Sequence, residues 1–147
     1  MLVLKKSEKS STKTKIEGYD RANKAGSKDS KNCSLYITEG LSAKTYVVCG
    51  IKEGLFDRKG RDWNGILPIR GKLLNVRDKG ATVIAGNKVI CSIIQALGLK
   101  HDLDYKIESN FNKLNYGKLI LVADADTDGI HIEALLINFI HSLYPSL

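Results

Sequence analysis

Short apolar blocks separated by polar segments characterise the chain after residue 32, and three of these blocks predict strands. Leu35–Thr38 is a brief apolar run typical of a buried strand. Lys118–Ala123 is apolar after its first residue, which predicts a parallel strand buried on both faces. Gly65–Ile69, which lies between these two, is also predicted to be a strand. The Pro68 inside it favours a sheet edge or a strand end.

The segments between and after these strands predict helices. Ala43–Cys49 is expected to be helical, with Ser42 as its N-cap and Gly50 at its end. Amphipathic spacing predicts a helix over Val89–Leu97, and another is predicted over His131–Leu143. Strands that alternate with helices indicate an α/β fold with a mostly parallel sheet flanked by helices.

Residues 1–32 are rich in Lys, Ser, Asp and Asn and have little apolar periodicity. This composition predicts a linker arm, partly disordered, ahead of a folded domain over residues 33–147.

The three cysteines show no Cys-x-x-Cys spacing, which argues against a disulfide framework or a zinc site and favours a reducing intracellular setting. No apolar run approaches the roughly 20 residues that span a bilayer, so no membrane partner is expected.

Basic residues outnumber acidic residues, with 23 Lys and Arg against 16 Asp and Glu and a net charge of +7. Such an excess suits a polyanionic partner, because Lys and Arg neutralise phosphates and release their counterions. Many basic proteins never bind nucleic acid, so charge alone does not decide the function.

Carboxylates follow two of the predicted strands at the point where each ends. Glu39 follows the first strand, and Asp124, Asp126 and Asp128 lie in the loop after Lys118–Ala123. The carboxyl ends of parallel strands meet at one edge of a sheet, where crowded carboxylates favour a compensating cation. Oxygen-only ligands predict Mg²⁺, with Mn²⁺ or Ca²⁺ able to substitute in binding. Gly129 is expected to let the backbone turn sharply after the third carboxylate.

The acidic loop also has other interpretations. A solvated loop, or a set of caps for the following helix, would need no metal. An EF-hand requires a Glu at the twelfth loop position, where this chain has Leu135, and its loop follows a helix. A haloacid-dehalogenase-type phosphatase shares the strand and Asp-x-Asp, but this chain has Asp128 where that family has Thr or Val. The phosphatase stays open as an alternative.

Several strings, in order, resemble the TOPRIM domain of eukaryotic and viral type IIA DNA topoisomerases. Thr38–Thr45 (TEGLSAKT) is similar to the TEGDSAKT segment of that family, and Leu67–Arg77 (LPIRGKLLNVR) is similar to its PLRGKxLNVR segment. The chain departs from the family at two positions: it has Leu41 where the family usually has Asp, and Ile130 where the family usually has Ser. The resemblance covers roughly Lys15–Leu147, and further matching strings are Asp20–Gly26, Tyr116–Lys118, Leu135–Ile140 and Tyr144–Leu147.

The resemblance implies a TOPRIM, Rossmann-like fold and a part in ATP-dependent strand passage. In such enzymes a tyrosine on another domain attacks a DNA phosphodiester, and the TOPRIM metal stabilises charge at the phosphate. Glu39 is then a metal ligand and the proton-transfer group. Asp124 and Asp126 are the principal metal ligands, and Asp128 is a supporting or alternate ligand.

The resemblance also implies DNA contacts and partners. Lys72 and Asn75 match family positions that contact DNA near the cut, Arg70 and Lys44 assist, and His131 is a further candidate for holding phosphate. Expected partners are double-stranded DNA, an ATPase domain before this segment, a tyrosine-bearing winged-helix domain after it and a second copy of the enzyme. The location is then intracellular: the nucleus in a eukaryote, or the replication site of a virus.

The chain alone is not expected to cleave DNA, because its tyrosines do not match the setting of the nucleophile and a closing strand is expected beyond Leu147. Two alternatives to the catalytic interpretation remain. One is a non-catalytic DNA-binding or assembly subunit of a split topoisomerase. The other is a TOPRIM nuclease or primase, which would cut DNA or make primers without a covalent tyrosine link.

Overall fold

A parallel sheet of three strands forms the centre of the computed structural model, which describes residues 15–54 and 58–147. The strands are β1 (Ser34–Glu39), β2 (Asn64–Ile69) and β3 (Lys118–Val122), in the order β2-β1-β3. Ile37 in β1 is level with Leu67 in β2 and with Leu121 in β3. The predicted α/β fold with a parallel sheet is confirmed, and β2 lies at a sheet edge, as Pro68 indicated.

Helices follow each strand, and the three predicted helices are present with altered bounds. Two short helices were not predicted. The helices are α1 (Gly40–Glu53), α2 (Ala81–Gly86), α3 (Lys88–Leu97), α4 (Glu108–Phe111) and α5 (Thr127–Leu143).

The predicted bounds of α1 were wrong at both ends. The helix begins directly after Glu39, so Ser42 lies inside it rather than at its N-cap. At the other end, Gly50 is a buried helical residue, and the helix continues to Glu53. Gly54 has the left-handed backbone, with φ of 74°, that commonly ends a helix.

The sheet has helices on both faces. Leu35 and Ile37 belong to the larger apolar cluster, which includes residues of α3 and α5. Tyr36 points to the other face and joins Val47 and Ile51 of α1 in a smaller cluster. Successive residues of a strand point to opposite faces, so β1 is buried on both. The carboxyl ends of all three strands lie at one edge.

Part of the predicted linker arm packs against the sheet, while its first 14 residues lie outside the described part of the chain. Asp20 and Ile66 exchange two backbone hydrogen bonds, of 2.9 and 2.8 Å, at the outer edge of β2. The Ala22 N–H donates to the Tyr116 hydroxyl at 3.1 Å, and that hydroxyl shares a 2.6 Å hydrogen bond with the Tyr19 hydroxyl. The arm therefore covers this edge, while the domain boundary at residue 33 stays a prediction.

Strand β3 is present as predicted, but the prediction that both its faces are buried was wrong. Lys118 is exposed and the other four residues are only half-buried. Within the described residues no further strand pairs with its outer edge. Beside it lies an apolar groove of about 430 Å³, lined in part by Leu119, Leu121 and Ile137. Among the described helices, none has the length and apolar character needed to cross a membrane.

Candidate metal centre and nucleic-acid interface

Glu39 ends β1 at the edge where the carboxyl ends of the strands meet. Gly40 follows it with φ of 73°, a conformation that favours glycine, and so the chain turns directly from β1 into α1. The Oε2 atom of Glu39 is buried and has no hydrogen-bond partner among the described residues. A carboxylate oxygen removed from water without a partner is costly, so this atom calls for a cation or a proton donor.

The acidic segment, residues 124–128, follows β3 at the same edge as Glu39, because β1 and β3 are paired in parallel. Asp126 is the N-cap of α5, and its Oδ1 accepts a hydrogen bond from the Gly129 N–H at 2.8 Å. Gly129 lies in the first turn of α5, so the predicted sharp turn at this glycine was wrong. Its requirement is space, because a Cβ there would overlap the carbonyl oxygen of Asp124.

Asp128 forms an ion pair with Lys72, whose Nζ lies 2.7 Å from Oδ1. Both side chains are more than half exposed, so water screens the pair. The hydrogen bond and charge of Lys72 lower the pKa of Asp128 below its ordinary value, and the charge of His131 adds a smaller effect. Asp128, the last aspartate of the acidic segment, thus faces Lys72 in the loop that follows β2.

In the part of the chain that the structure describes, no three His, Cys, Asp or Glu side chains are grouped closely enough to hold a metal ion. The side-chain contacts explain part of this, because Asp126 caps a helix and Asp128 is paired with Lys72. The donor chemistry nevertheless fits a hard cation, since every candidate ligand is a carboxylate and Glu39 has an unpartnered oxygen. The four-carboxylate metal site stays a prediction.

The basic segment, residues 70–77, follows β2 and lies beside α5. The Oδ1 atom of Asn75 accepts hydrogen bonds from the Arg77 N–H at 3.1 Å and from Asn138 Nδ2 at 3.0 Å. Arg70 lies 3.5 Å from Glu17, and both side chains are highly exposed. The structure therefore brings Lys72 and Asn75 to α5, the helix that begins at the end of the acidic segment, and the sequence alone did not predict this.

Lys44 and His131 differ in how they are held. Lys44 Nζ lies 2.7 Å from Asp20 Oδ2 and donates to the Gly18 carbonyl at 2.8 Å, with 21% of its side chain exposed. These bonds tie α1 to the arm. His131 is exposed in the first turns of α5. The DNA contacts predicted for both residues stay predictions.

Sequence reasoning missed two residues that organise this region, Asn138 and Tyr116. Asn138 interrupts the apolar run of residues 135–140, and a lone amide in such a run can indicate a specific polar contact. For Tyr116 the sequence indicates only a place in a matching string and a setting that does not fit the nucleophile. Its buried hydroxyl instead binds the arm.

Comparisons with known proteins agree with the resemblance found in the sequence. The Toprim domain family matches residues 8–146. The chain is similar to DNA topoisomerase 2 of Invertebrate iridescent virus 6, with 46% identity over 140 residues, which is 92% of this chain and 12% of that protein. It is also similar to DNA topoisomerase 2 top-2 of Caenorhabditis elegans, with 47% identity over 142 residues, which is 94% of this chain and 9% of that protein.

A solved structure gives the same result. The crystal structure of the DNA-binding, cleavage and re-ligation domain of Plasmodium falciparum topoisomerase II superposes with a TM-score of 0.81 at 42% identity, covering 92% of this chain and 18% of that one. The chain therefore spans about a tenth of the curated relatives it matches, 12% and 9% of the two described. The predicted resemblance to the topoisomerase form of this domain is confirmed.

Proposed function

This chain belongs to the Toprim domain family, in the form found in DNA topoisomerase 2 proteins, and we propose that it is the metal-binding part of an ATP-dependent type IIA topoisomerase. Toprim domains in general bind a divalent metal. In this proposal the chain supports Mg²⁺-dependent DNA cleavage and religation by a tyrosine of another domain, and ATP hydrolysis belongs to a third domain. The location is the nucleus in a eukaryotic cell, or a virus replication site.

The observation that supports this proposal best is the buried Oε2 of Glu39, which has no hydrogen-bond partner in the described part of the chain. It lies at the sheet edge that also carries the acidic segment. Glu39, Asp124 and Asp126 would hold the metal, and Asp128 would support them. Mg²⁺ bound by these residues would offset the charge that develops on the transferring phosphate.

Glu39 has a second role as the proton-transfer group. Cleavage of a DNA strand requires a proton for the departing hydroxyl, and religation requires its removal when that hydroxyl returns. A carboxyl group at the end of a strand, with one oxygen buried and without a hydrogen-bond partner among the described residues, suits this exchange. Lys72 neutralises a backbone phosphate, and Asn75 hydrogen-bonds to the DNA beside it.

Titration of the metal-free chain with Mg²⁺ tests the metal site directly. We expect Glu39→Gln to weaken Mg²⁺ binding by roughly tenfold or more, because a neutral amide is a poorer ligand for a hard cation than a carboxylate. The matched control is Glu53→Gln, an exposed glutamate at the far end of α1, which should bind Mg²⁺ as the original chain does. Equal Mg²⁺ affinity in the original chain and in Glu39→Gln would contradict the proposed site.

Cleavage is tested by adding the tyrosine-bearing domain in trans and measuring Mg²⁺-dependent covalent attachment of protein to DNA. Restored attachment that Glu39→Gln abolishes is the expected result. A chain that binds the other domain and DNA without restoring cleavage would be the non-catalytic subunit. Cutting by this chain alone, without a covalent tyrosine link, would indicate a nuclease.

A further inference from the structure

The side chain of Asn75 has a fixed orientation. A backbone N–H can only donate, so the Asn75 atom that lies 3.1 Å from the Arg77 nitrogen must be its oxygen. The same oxygen accepts from Asn138 Nδ2 at 3.0 Å. Asn75 therefore uses its acceptor within the protein. Its Nδ2 group has no partner among the described residues and belongs to an exposed side chain.

The orientation of Asn138 is fixed in turn. Its Oδ1 lies 3.3 Å from the hydroxyl of Ser142, one helical turn further along α5, which can donate to it. The Asn75 oxygen can only accept, so it must face the amide nitrogen of Asn138, and this leaves the Asn138 oxygen to accept from Ser142. Ser142 thus donates to Asn138, and Asn138 donates to Asn75. These three side chains form a directed chain of hydrogen bonds from α5 to the basic segment, here called the relay.

The ion pair between Lys72 and Asp128 ties the same two elements together near the start of α5. Asp128 and Asn138 are ten positions apart, about 15 Å along a helix at 1.5 Å per residue. The basic segment is therefore held at two separate points. At the second point Asn138 acts together with the Arg77 N–H to keep the Asn75 oxygen inward and its amide nitrogen outward.

We infer that Asn138 is a positioning residue that presets Asn75 to donate a hydrogen bond to DNA. The target on DNA is then an acceptor, such as a phosphate or sugar oxygen or an acceptor atom on a base edge. A freely rotating asparagine would present oxygen and nitrogen in turn and would lose rotational freedom on binding, whereas the relay removes that cost beforehand. The inference rests on the proposed DNA contact of Asn75.

The test is a double-mutant cycle on the 147-residue chain, with the affinity for a short fluorescent DNA duplex measured in EDTA. We expect Asn75→Ala to weaken binding by about fivefold, the usual scale of one hydrogen bond. Asn138→Leu should weaken it by about threefold, and should have no further effect once Asn75 is alanine, because it acts through that residue. Asn112→Leu, an exposed asparagine beyond α4, is the matched control and should leave affinity unchanged.

The outcomes separate the inference from the proposed function. If Asn75→Ala weakens binding but Asn138→Leu does not, or if Asn138→Leu costs the same in both backgrounds, Asn138 has no positioning role. If Asn75→Ala leaves affinity unchanged while Mg²⁺ binding still depends on Glu39, the inference fails and the metal site survives. If Asn138→Leu lowers the melting temperature, Asn138→Ser takes its place in the same cycle. The side-chain amide resonances of Asn75, which its fixed orientation sharpens, should broaden or shift in Asn138→Leu and in Asn138→Ser.

Discussion

The two outer strands of the sheet, β2 and β3, flank the same central strand but are covered very differently. Strand β2 is almost completely buried, and its outer edge is occupied by the arm through the backbone pairing of Asp20 with Ile66. Strand β3 is exposed at its first residue and half-buried along the rest. The sequences suggest the reverse, because β3 is the more apolar strand while β2 contains Gly65 and Pro68.

This difference shows that burial depends on what covers a strand rather than on how apolar the strand is. Pro68 correctly placed β2 at the sheet edge, yet an edge strand can be buried when a non-sheet segment packs over it. The described residues bury the apolar side chains of β3 only in part. Paired substitutions can test the comparison because β2 and β3 are in register on either side of Ile37.

The largest expected effect comes from truncating the two leucines that flank Ile37. Leu67→Ala removes a side chain that is only 1% exposed and should lower the free energy of unfolding by about 3 kcal/mol, since a cavity forms in a packed core. Leu121→Ala, on half-buried β3, should cost about 1 kcal/mol, because less apolar surface is lost from contact. Urea denaturation measures both. Equal losses would mean that the two edges are equally covered.

A smaller effect is expected from loosening the arm. Tyr116→Phe removes the hydroxyl that accepts from the Ala22 N–H and binds the Tyr19 hydroxyl, leaving two groups without a partner. We expect it to lower the free energy of unfolding by about 2 kcal/mol. Tyr46→Phe is the matched control, because Tyr46 is 64% exposed, and it should have almost no effect. No loss in Tyr116→Phe would show that the hydroxyl bonds do not hold the arm.

Sequence reasoning located the three strands and brought Glu39 and the acidic segment to one edge, because buried parallel strands leave strong apolar runs and their carboxyl ends coincide. It failed where structure depends on distant contacts. Helix α2 was not predicted, since Thr82 and Val83 have low helix propensity and its one buried residue is Ile84. Packing of that residue, rather than local preference, accounts for the helix.

The candidate site shows the same limit. Residue types indicated carboxylates for a cation and a basic segment for DNA, but the partners of those side chains came only from the fold. Asn75 and Asn138 are 63 positions apart, and no local pattern joins them. The ion pair of Lys44 with Asp20 likewise gives Lys44 a role in holding the arm, although its position in a matching string indicated only DNA.

The finest test of the arm-covered edge uses the reactivity of the cysteines. Cys33 is buried, and its Sγ lies 3.8 Å from the carbonyl oxygen of Asp29 in the arm. Burial raises the pKa of its thiol above the ordinary value, whereas Cys49 is exposed on α1. At pH 8 a thiol reagent should therefore label Cys49 first and Cys33 slowly, since the thiolate is the reactive form. Tyr116→Phe should speed labelling of Cys33 by roughly tenfold, as an arm weakened by a kilocalorie or more opens more often, and leave Cys49 unchanged.

The direction of the pH dependence follows from the raised pKa of Cys33. Below about pH 8 the thiol is protonated in both the folded and unfolded chain, and its contribution to stability is fully present. As the pH rises, the unfolded thiol ionises first, so that contribution is lost as the pH passes through the raised folded value. Unfolding measured from pH 7 to 10, with Cys33→Ser as the control, should show this small decline. In the labelling experiment, a Cys33 rate that is the same in Tyr116→Phe as in the original chain would show that the arm does not shield the edge of the sheet that it covers.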